Sequence, residues 1–332
     1  MERKKIKPYL TLICFVILII FITFYATKAF LPSISTTNIV NNKLVDWGIG
    51  WKNKQSFYSG SELEFKFNNS RRISFEFSTT SKADQGAEIL IDNDKYFISS
   101  PNLNNQQLSI SVNNNEPHTV RIRHFCTFLY FPCNITLKNV YLDNHSELIP
   151  YKSNKKVLSI LGDSISTIYG KENYSFMLAD SLDYELHNAS VLSSTVSKIS
   201  DVDNAIKRYK KDMMSFKSDM IIIFLGTNDA ARNVPFNDFE KDYSKIVSDI
   251  KSFNPNTKIF LVGILKRNDV NENILQNYNN IIKNVAEKNK VYFIDPLSWL
   301  DKNDLSDNIH PSIEAQKKLS EKFLEAISTR IK

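Results

Sequence analysis

Three short fragments, far apart in the chain, carry the residue types needed to cleave an ester. They are Gly162-Asp163-Ser164, Gly226-Thr227-Asn228-Asp229 and Asp307-Asn308-Ile309-His310-Pro311. Ester cleavage by a covalent route needs a nucleophilic hydroxyl, a base for its proton, a carboxylate to orient that base, and donors for the oxyanion. Ser164, His310, Asp307 and Asn228 supply one of each. Asp307 and His310 lie close enough in sequence for a loop turning back on itself to join them. The carboxylate would then hold one ring nitrogen and leave the other free to deprotonate Ser164. Taken singly, each fragment also reads as turn or cap chemistry: Gly-Asp-Ser can cap a helix, Asn228 can close a turn, and Asp307 can do the same beside a surface histidine. Their order, each at the end of an expected strand or the start of a helix, makes them one candidate site. Pro311 at the first helical position, with Ser312 after it, reads as the start of the last helix.

The elements that must position these residues follow from the apolar periodicity. Val157 to Leu161, Met220 to Leu225, Lys258 to Ile264 and Val291 to Ile294 are short, nearly continuous apolar runs. Between them Phe239 to Phe253 and Ile274 to Ala286 place apolar residues three and four apart, and Ile313 to Ile331 reads as a closing amphipathic helix. Strands alternating with helices, and apolar on both faces, predict a parallel α/β sheet. Ligands bind such sheets at the carboxyl ends of the strands, where Ser164 and Asn228 fall. Asn254-Pro255-Asn256 ends one helix before the next strand. Upstream, from about Asn38 to Tyr151, the rhythm is different. Runs such as Glu62 to Phe67, Ile73 to Phe77 and Thr119 to Arg123 alternate with period two and are separated by Asn- and Asp-rich turns. That pattern predicts an all-β sandwich without helices. The expected organisation is therefore 1–37, 38–151 and 152–332.

The first of these segments is a separate object. Arg3, Lys4, Lys5 and Lys7 precede an uncharged stretch from Pro8 to Thr27, dense in Ile, Leu, Phe and Val. About 20 apolar residues cross a bilayer as a helix. A basic tip stays cytoplasmic, so the expectation is a single-pass membrane anchor with everything after Lys28 outside the cell. The alternative is a cleaved secretory signal, whose apolar core is usually about 7–15 residues; either way the rest of the chain is exported. With a net charge of +6 and no long basic run beyond that tip, nucleic acid is not an expected partner. Cys126 and Cys133 could bridge two strand ends in an exported protein, or remain two buried thiols. No His or Cys pair has zinc spacing, so neither a metal nor another cofactor is expected.

The three fragments resemble the SGNH (GDSL-type) hydrolase superfamily over Lys155 to the C-terminus. The resemblance implies a flavodoxin-like α/β hydrolase domain in which Ser164 is the nucleophile, His310 the base, Asp307 its orienter and Asn228 an oxyanion donor. His187 to Thr195 is similar to the family's second block, with Ser193 where the family has glycine. The oxyanion hole implied is then the Ser164 and Ser193 backbone N–H groups with the Asn228 amide. A serine can donate there if its backbone adopts the glycine's conformation. A β-sandwich directly before such a domain is similar to carbohydrate esterase family two, in which a jelly-roll domain precedes a deacetylase. Tyr58 to Ser61, Glu116 to Val120 and Gly162 to Gly170 carry the local likeness.

The function implied is removal of O-acetyl groups from cell-surface or extracellular polysaccharide, or from a small acyl ester. Trp299, shortly before Asp307, is a candidate to line the mouth of the site, whereas Trp47 and Trp51 read as core. Two alternatives stay open. The same residues could transfer the acyl group to a sugar hydroxyl, or the protein could bind glycan without catalysis. Neither the polymer nor the oligomeric state is legible in the sequence.

Overall fold

Alternation of apolar and polar residues folds the upstream half into antiparallel strands. Leu63, Phe65 and Phe67 point one way along Glu62–Asn68 while Glu62, Glu64 and Lys66 point the other, and Ile73, Phe75 and Phe77 repeat the pattern along Arg72–Ser78. The computed structural model describes residues 36–92, 94–99, 107–113, 116–128 and 133–331. The stretch expected to anchor the chain, Pro8 to Thr27, lies outside them; among the described residues no helix is long and apolar enough to cross a membrane.

Two six-stranded antiparallel sheets form this half. One orders Trp51–Lys52, Gln55–Ser56, Ile135–Asp143, Arg72–Ser78 and Gln107–Ser111, with Thr36–Asn38 also paired to Ile135–Asp143. The other orders Glu147–Ile149, Glu62–Asn68, His118–Phe128, Asp84–Ile91 and Asp94–Ser99, with Asp46–Trp47 also on Glu62–Asn68. Their facing sides share one core, in which Phe65, Phe67, Phe75, Phe77 and Ile122 are fully buried. Truncating any of these rings would cost about 3–5 kcal/mol. Trp47 and Trp51 pack against this core with ring centroids 5.5 Å apart, as expected. Cys126 and Cys133 are joined in a disulfide, their Cα atoms 6.4 Å apart.

The downstream half is a parallel sheet of five strands: β1 (Lys156–Gly162), β2 (Tyr184–Asn188), β3 (Met220–Phe224), β4 (Lys258–Val262) and β5 (Tyr292–Ile294). Their order is β2-β1-β3-β4-β5, a doubly wound arrangement. The helices are α1 (Tyr174–Leu182), α2 (Ala205–Met213), α3 (Thr227–Ala231), α4 (Phe236–Phe253), α5 (Glu272–Asn289) and α6 (Ile313–Ile331). Residues of α2, α4 and α5 such as Tyr209, Ile246 and Ile282 bury one face of the sheet. Tyr174 and Leu178 of α1 and Leu319 and Phe323 of α6 bury the other. The last helix begins at Ile313, two residues later than its proline suggests. Pro311 instead forms a bridge with Leu305, and Ser312 caps the helix by accepting a hydrogen bond from the Ala315 N–H.

The two halves meet over a seam of charge. Period-two alternation predicts that Glu62 and Glu64 face water, yet they are only 2% and 4% exposed. The outer face of their sheet is covered by the downstream half, so ion pairs take the place of solvent. Arg123, 1% exposed, donates from Nε to Glu88 at 2.8 Å and from Nη1 to Asp180 of α1 at 2.8 Å. Lys155 reaches Glu62, Glu64 and Asp183 at 3.4, 3.5 and 3.6 Å. Burial, offset in part by Arg123, Lys155 and Arg121, raises the Glu62 carboxyl above its ordinary range. Backbones also close up. Gly60 adopts φ +93°, and a Cβ there would lie 2.5 Å from Leu186 Cγ of β2, so only glycine fits.

Removing one partner from a buried ionic cluster strands the others, at a cost of about 3–5 kcal/mol. Arg123→Ala should lower stability by that amount in urea unfolding of the chain from Thr36 onward. A loss below about 1 kcal/mol, the range of a surface pair, would mean that the seam contributes little.

Candidate active site

Parallel pairing of β1 with β3 sets Gly162 opposite Phe224, so the loops that follow both strands emerge side by side at one crest of the sheet. Ser164 opens a short 3-10 turn there, and Asp163 caps it by accepting the Ile165 N–H at 3.0 Å. Three side-chain amides clamp this turn from different elements. Asn173 Nδ2 donates to the carbonyls of Ile165 and Ile168, both at 2.9 Å, Asn188 Nδ2 to that of Ser166 at 2.6 Å, and Gln316 Nε2 to that of Ile165 at 3.3 Å. The turn is therefore rigid, and Ser164 sits recessed at 6% exposure.

The loop before α6 brings the expected partners to it. Ser164 Oγ and His310 Nε2 are 2.8 Å apart, and His310 Nδ1 lies 2.8 Å from Asp307 Oδ2. The other Asp307 oxygen accepts the backbone N–H groups of Ile309 and His310 at 3.2 and 2.8 Å. The loop is tied back at the Asn308 carbonyl, which accepts the Asn268 N–H at 2.8 Å, and Asn308 itself takes a left-handed φ of 64°. Partial burial works against the charged Asp307 carboxyl. Hydrogen bonds from the His310 ring and backbone outweigh it and hold the group below the usual carboxylate range.

Ser193, on the loop after β2, and Asn228, in the first turn of α3, lie at the same crest. Ser193 has φ 56°, the left-handed conformation that a glycine would take most readily. Asn228, at the start of α3, donates one amide hydrogen to the Ser194 carbonyl at 3.1 Å; its amide carries a second donor hydrogen. Arg208 of α2 knots the assembly together. Its guanidinium donates to Ala189 O (2.6 Å), Gly162 O (3.3 Å), Ser194 Oγ (3.0 Å), Asp203 Oδ1 (2.5 Å) and Asp212 Oδ2 (2.8 Å). Asp229 takes the N–H groups of Val196 (2.9 Å) and Ser197 (3.2 Å), anchoring the far end of the Ser193 loop.

Trp299 does not join the hydrogen-bonded cluster. Its ring, half-buried, packs edge-on against Phe323 of α6, 5.0 Å between centroids, at the margin of the core between sheet and helix. Sequence reading overlooked Asn173, Gln316 and Arg208, and included Asn188 only as part of the His187 to Thr195 block, with no role given to its side chain. A polar residue at the start of α1 or the end of β2 is the only local signal they leave. Among the described residues no group of His, Cys, Asp or Glu could hold a metal ion.

Comparison with known proteins places this arrangement. Residues 160–318 match the GDSL-like Lipase/Acylhydrolase family. No curated protein matches the sequence. Among solved structures, a family two carbohydrate esterase from Clostridium thermocellum in complex with cellohexaose superposes with a TM-score of 0.68 at 15% identity, covering 90% of this chain and 99% of its own. An acetyl xylan esterase from the rumen bacterium Butyrivibrio proteoclasticus gives 0.66 at 16% identity, covering 90% and 99%. A salicylyl-acyltransferase from a tetracycline biosynthetic pathway gives 0.66 at 12% identity, covering 89% and 97%. At these identities the likeness is one of fold, and it extends over both halves of the chain.

Two buried carboxyls beside the crest carry a pH dependence. Burial is the main cause that pushes Asp163 up to about 7, with the Asp229 charge adding to it and the Ile165 N–H, Arg267 and Arg208 opposing. Burial likewise pushes Asp229 up to about 7 against the N–H groups of Val196 and Ser197. A carboxyl whose folded value is raised binds its proton more tightly when folded. Its stabilising effect is full below about 4 and is lost as pH rises towards 7. Asp163→Asn keeps an oxygen for the Ile165 N–H but removes the titration. The urea midpoint of the unaltered chain should fall between pH 5 and 7.5, and the variant's should fall less, by on the order of 1–3 kcal/mol in free energy. Equal slopes would show that Asp163 does not titrate in this window.

Proposed function

We propose that this chain, whose residues 160–318 form a GDSL-type hydrolase domain, is an exported serine esterase that removes acetyl groups from extracellular or cell-surface polysaccharide. The observation that carries the reading is the unbroken chain of hydrogen bonds from Ser164 Oγ through the His310 ring to Asp307. His310 Nε2 takes the hydroxyl proton as Oγ attacks the acetyl carbonyl, and the carbonyl electrons move onto its oxygen. The second amide hydrogen of Asn228 and the backbone N–H groups of Ser164 and Ser193 stabilise that oxyanion. Collapse of the intermediate expels the sugar oxygen, which receives the proton from His310. Water, deprotonated by the same nitrogen, then attacks the acetyl-serine, and acetate departs as the proton returns to Oγ. Asp307 holds the ring in the required tautomer throughout and stabilises its transient positive charge.

A nucleophile recessed to 6% exposure favours a short acyl group over a long one. A structural neighbour solved in complex with cellohexaose and another described as an acetyl xylan esterase support a polysaccharide as the alcohol side. Export, and attachment to the membrane by a single pass, rest on the basic tip and apolar stretch of residues 3–27. Acyl transfer to a sugar hydroxyl would use the same atoms and differ only in the acceptor that reaches the acetyl-serine.

The test is hydrolysis of p-nitrophenyl acetate beside the butyrate and octanoate, and acetate release from acetylated xylan. Acetate should be preferred, and Ser164→Ala should bring turnover to the background rate. Turnover indifferent to Ser164 would end the serine mechanism. Asn228→Ala should lower kcat by about 10²–10³, the loss typical of one oxyanion donor, whereas an unchanged kcat would remove Asn228 from it. Ser193→Gly should retain most activity, since glycine adopts the observed φ without strain. Its complete loss would show that the hydroxyl itself takes part. Added oligosaccharide that captures the acetyl group in place of water would shift the assignment to transfer.

A further inference from the structure

Where the upstream sheets meet the carboxyl ends of β1 and β2 there is a cavity of about 520 Å³ that none of the steps above uses. Phe57 and Ser59 line it from the upstream half, and Thr167, Ser190 and Lys211 from the hydrolase half. Its size is that of an ordinary small-ligand pocket. It borders the two loops that carry the crest residues: Thr167 follows Ser164 in the same turn, and Ser190 and Val191 precede Ser193.

Two features of this cavity are not accounted for by folding, and an exposed lysine stands at its rim. The Phe57 ring is 51% exposed, kept out of both cores at the cavity wall. Ser190 is 7% exposed, yet its hydroxyl is buried without a hydrogen-bond partner, an arrangement costing about 1–3 kcal/mol unless something fills it. Among the described residues Lys211 makes no ion pair. The walls are also fixed in advance. The Asn188 N–H donates to Ser59 O and the Cys126 N–H to Ser59 Oγ, both at 3.2 Å, and Tyr58 OH donates to Asp212 at 3.2 Å.

An exposed aromatic face beside a small set of fixed polar groups suits a pyranose. The ring's axial C–H groups lie on the aromatic face, while its edge hydroxyls need partners that an apolar ligand would not satisfy. We propose that this cavity is a sugar subsite, holding an unacetylated ring of the polymer next to the acetylated one. Phe57 is its platform, and Ser190 Oγ and Lys211 Nζ are its hydrogen-bonding groups. The subsite rests on the reading of the protein as a glycan esterase. It gives the upstream half a part in choosing the substrate, so selectivity for polymer over a small ester is built across the seam.

The experiment compares kcat/KM for chemically acetylated xylohexaose and cellohexaose with kcat/KM for p-nitrophenyl acetate, using the full-length protein. Phe57→Ala should lower the ratio of hexasaccharide to small-ester turnover about tenfold, through KM, as loss of uniform binding does. Phe57→Trp should restore it, and Ser190→Ala, which leaves the platform intact, should lower it in the same direction. An unchanged ratio in both Phe57→Ala and Ser190→Ala would overturn the subsite while leaving the Ser164 esterase in place. A wild-type protein that hydrolyses p-nitrophenyl acetate but neither hexasaccharide would overturn the glycan reading, and the subsite with it.

Discussion

The guanidinium of Arg208 bonds at once to the end of β1, to the loop after β2 and to two carboxylates, one of them on its own helix. Few other groups could do this. A strand end and a loop both present carbonyl oxygens, which repel one another and need a shared donor when taken out of water. A planar fork with five N–H groups meets that need in one rigid piece, where an ammonium would offer a point charge and three donors. Because β1 leads directly into Ser164 and the loop carries Ser193, the same residue fixes how these two serines sit relative to one another. The clamps from Asn173, Asn188 and Gln316 then set the orientation of the turn, and the Asp307 loop needs only to deliver an imidazole to a hydroxyl already in place.

Local periodicity and motif spacing made the parallel sheet readable. The apolar runs at Val157, Met220, Lys258 and Val291 all became strands, and the helix expected over Phe239 to Phe253 begins only three residues earlier, at Phe236. Ser164, His310 and Asp307 were legible as a set because their fragments resemble the blocks of one hydrolase superfamily, and the fold brings the three side chains into one hydrogen-bonded chain. β2 was not, since Tyr184-Glu185-Leu186-His187-Asn188 mixes polar with apolar residues. It is an edge strand, and Glu185 turns to the upstream half, where its carboxylate accepts the Ile49 N–H at 2.6 Å. Glu62 and Glu64 misled for a related reason. Their alternation shows which residues face the sandwich core, but not that the opposite face would also be covered. The amide clamps and Arg208 depend on partners remote in sequence, which no local pattern encodes.

Buried carboxyls pushed towards their neutral form recur in the interior. Glu185 is pushed up to about 8, mainly by burial and then by the Glu62 carboxylate near it, while the Ile49 N–H pulls the other way. Asp163 and Asp229 are raised for the same main reason at the crest. These groups occupy places where a polar acceptor for backbone N–H is needed more than a charge, which a protonated or shared carboxyl supplies at lower desolvation cost. Asp307 is the contrast. It is half exposed and multiply hydrogen-bonded, and its carboxyl is held below the usual carboxylate range.

The seam between the halves bears on descent. Appended sugar-binding modules are commonly joined by exposed linkers and can be exchanged between enzymes as units. Here a transplanted hydrolase half would carry Asp180, Asp183 and Glu185 into whatever new neighbour it met, without Arg123, Lys155 or the Ile49 N–H arranged to receive them. Recombination that separates the two halves is therefore penalised at once. The joint thus ties the two halves into a single heritable unit.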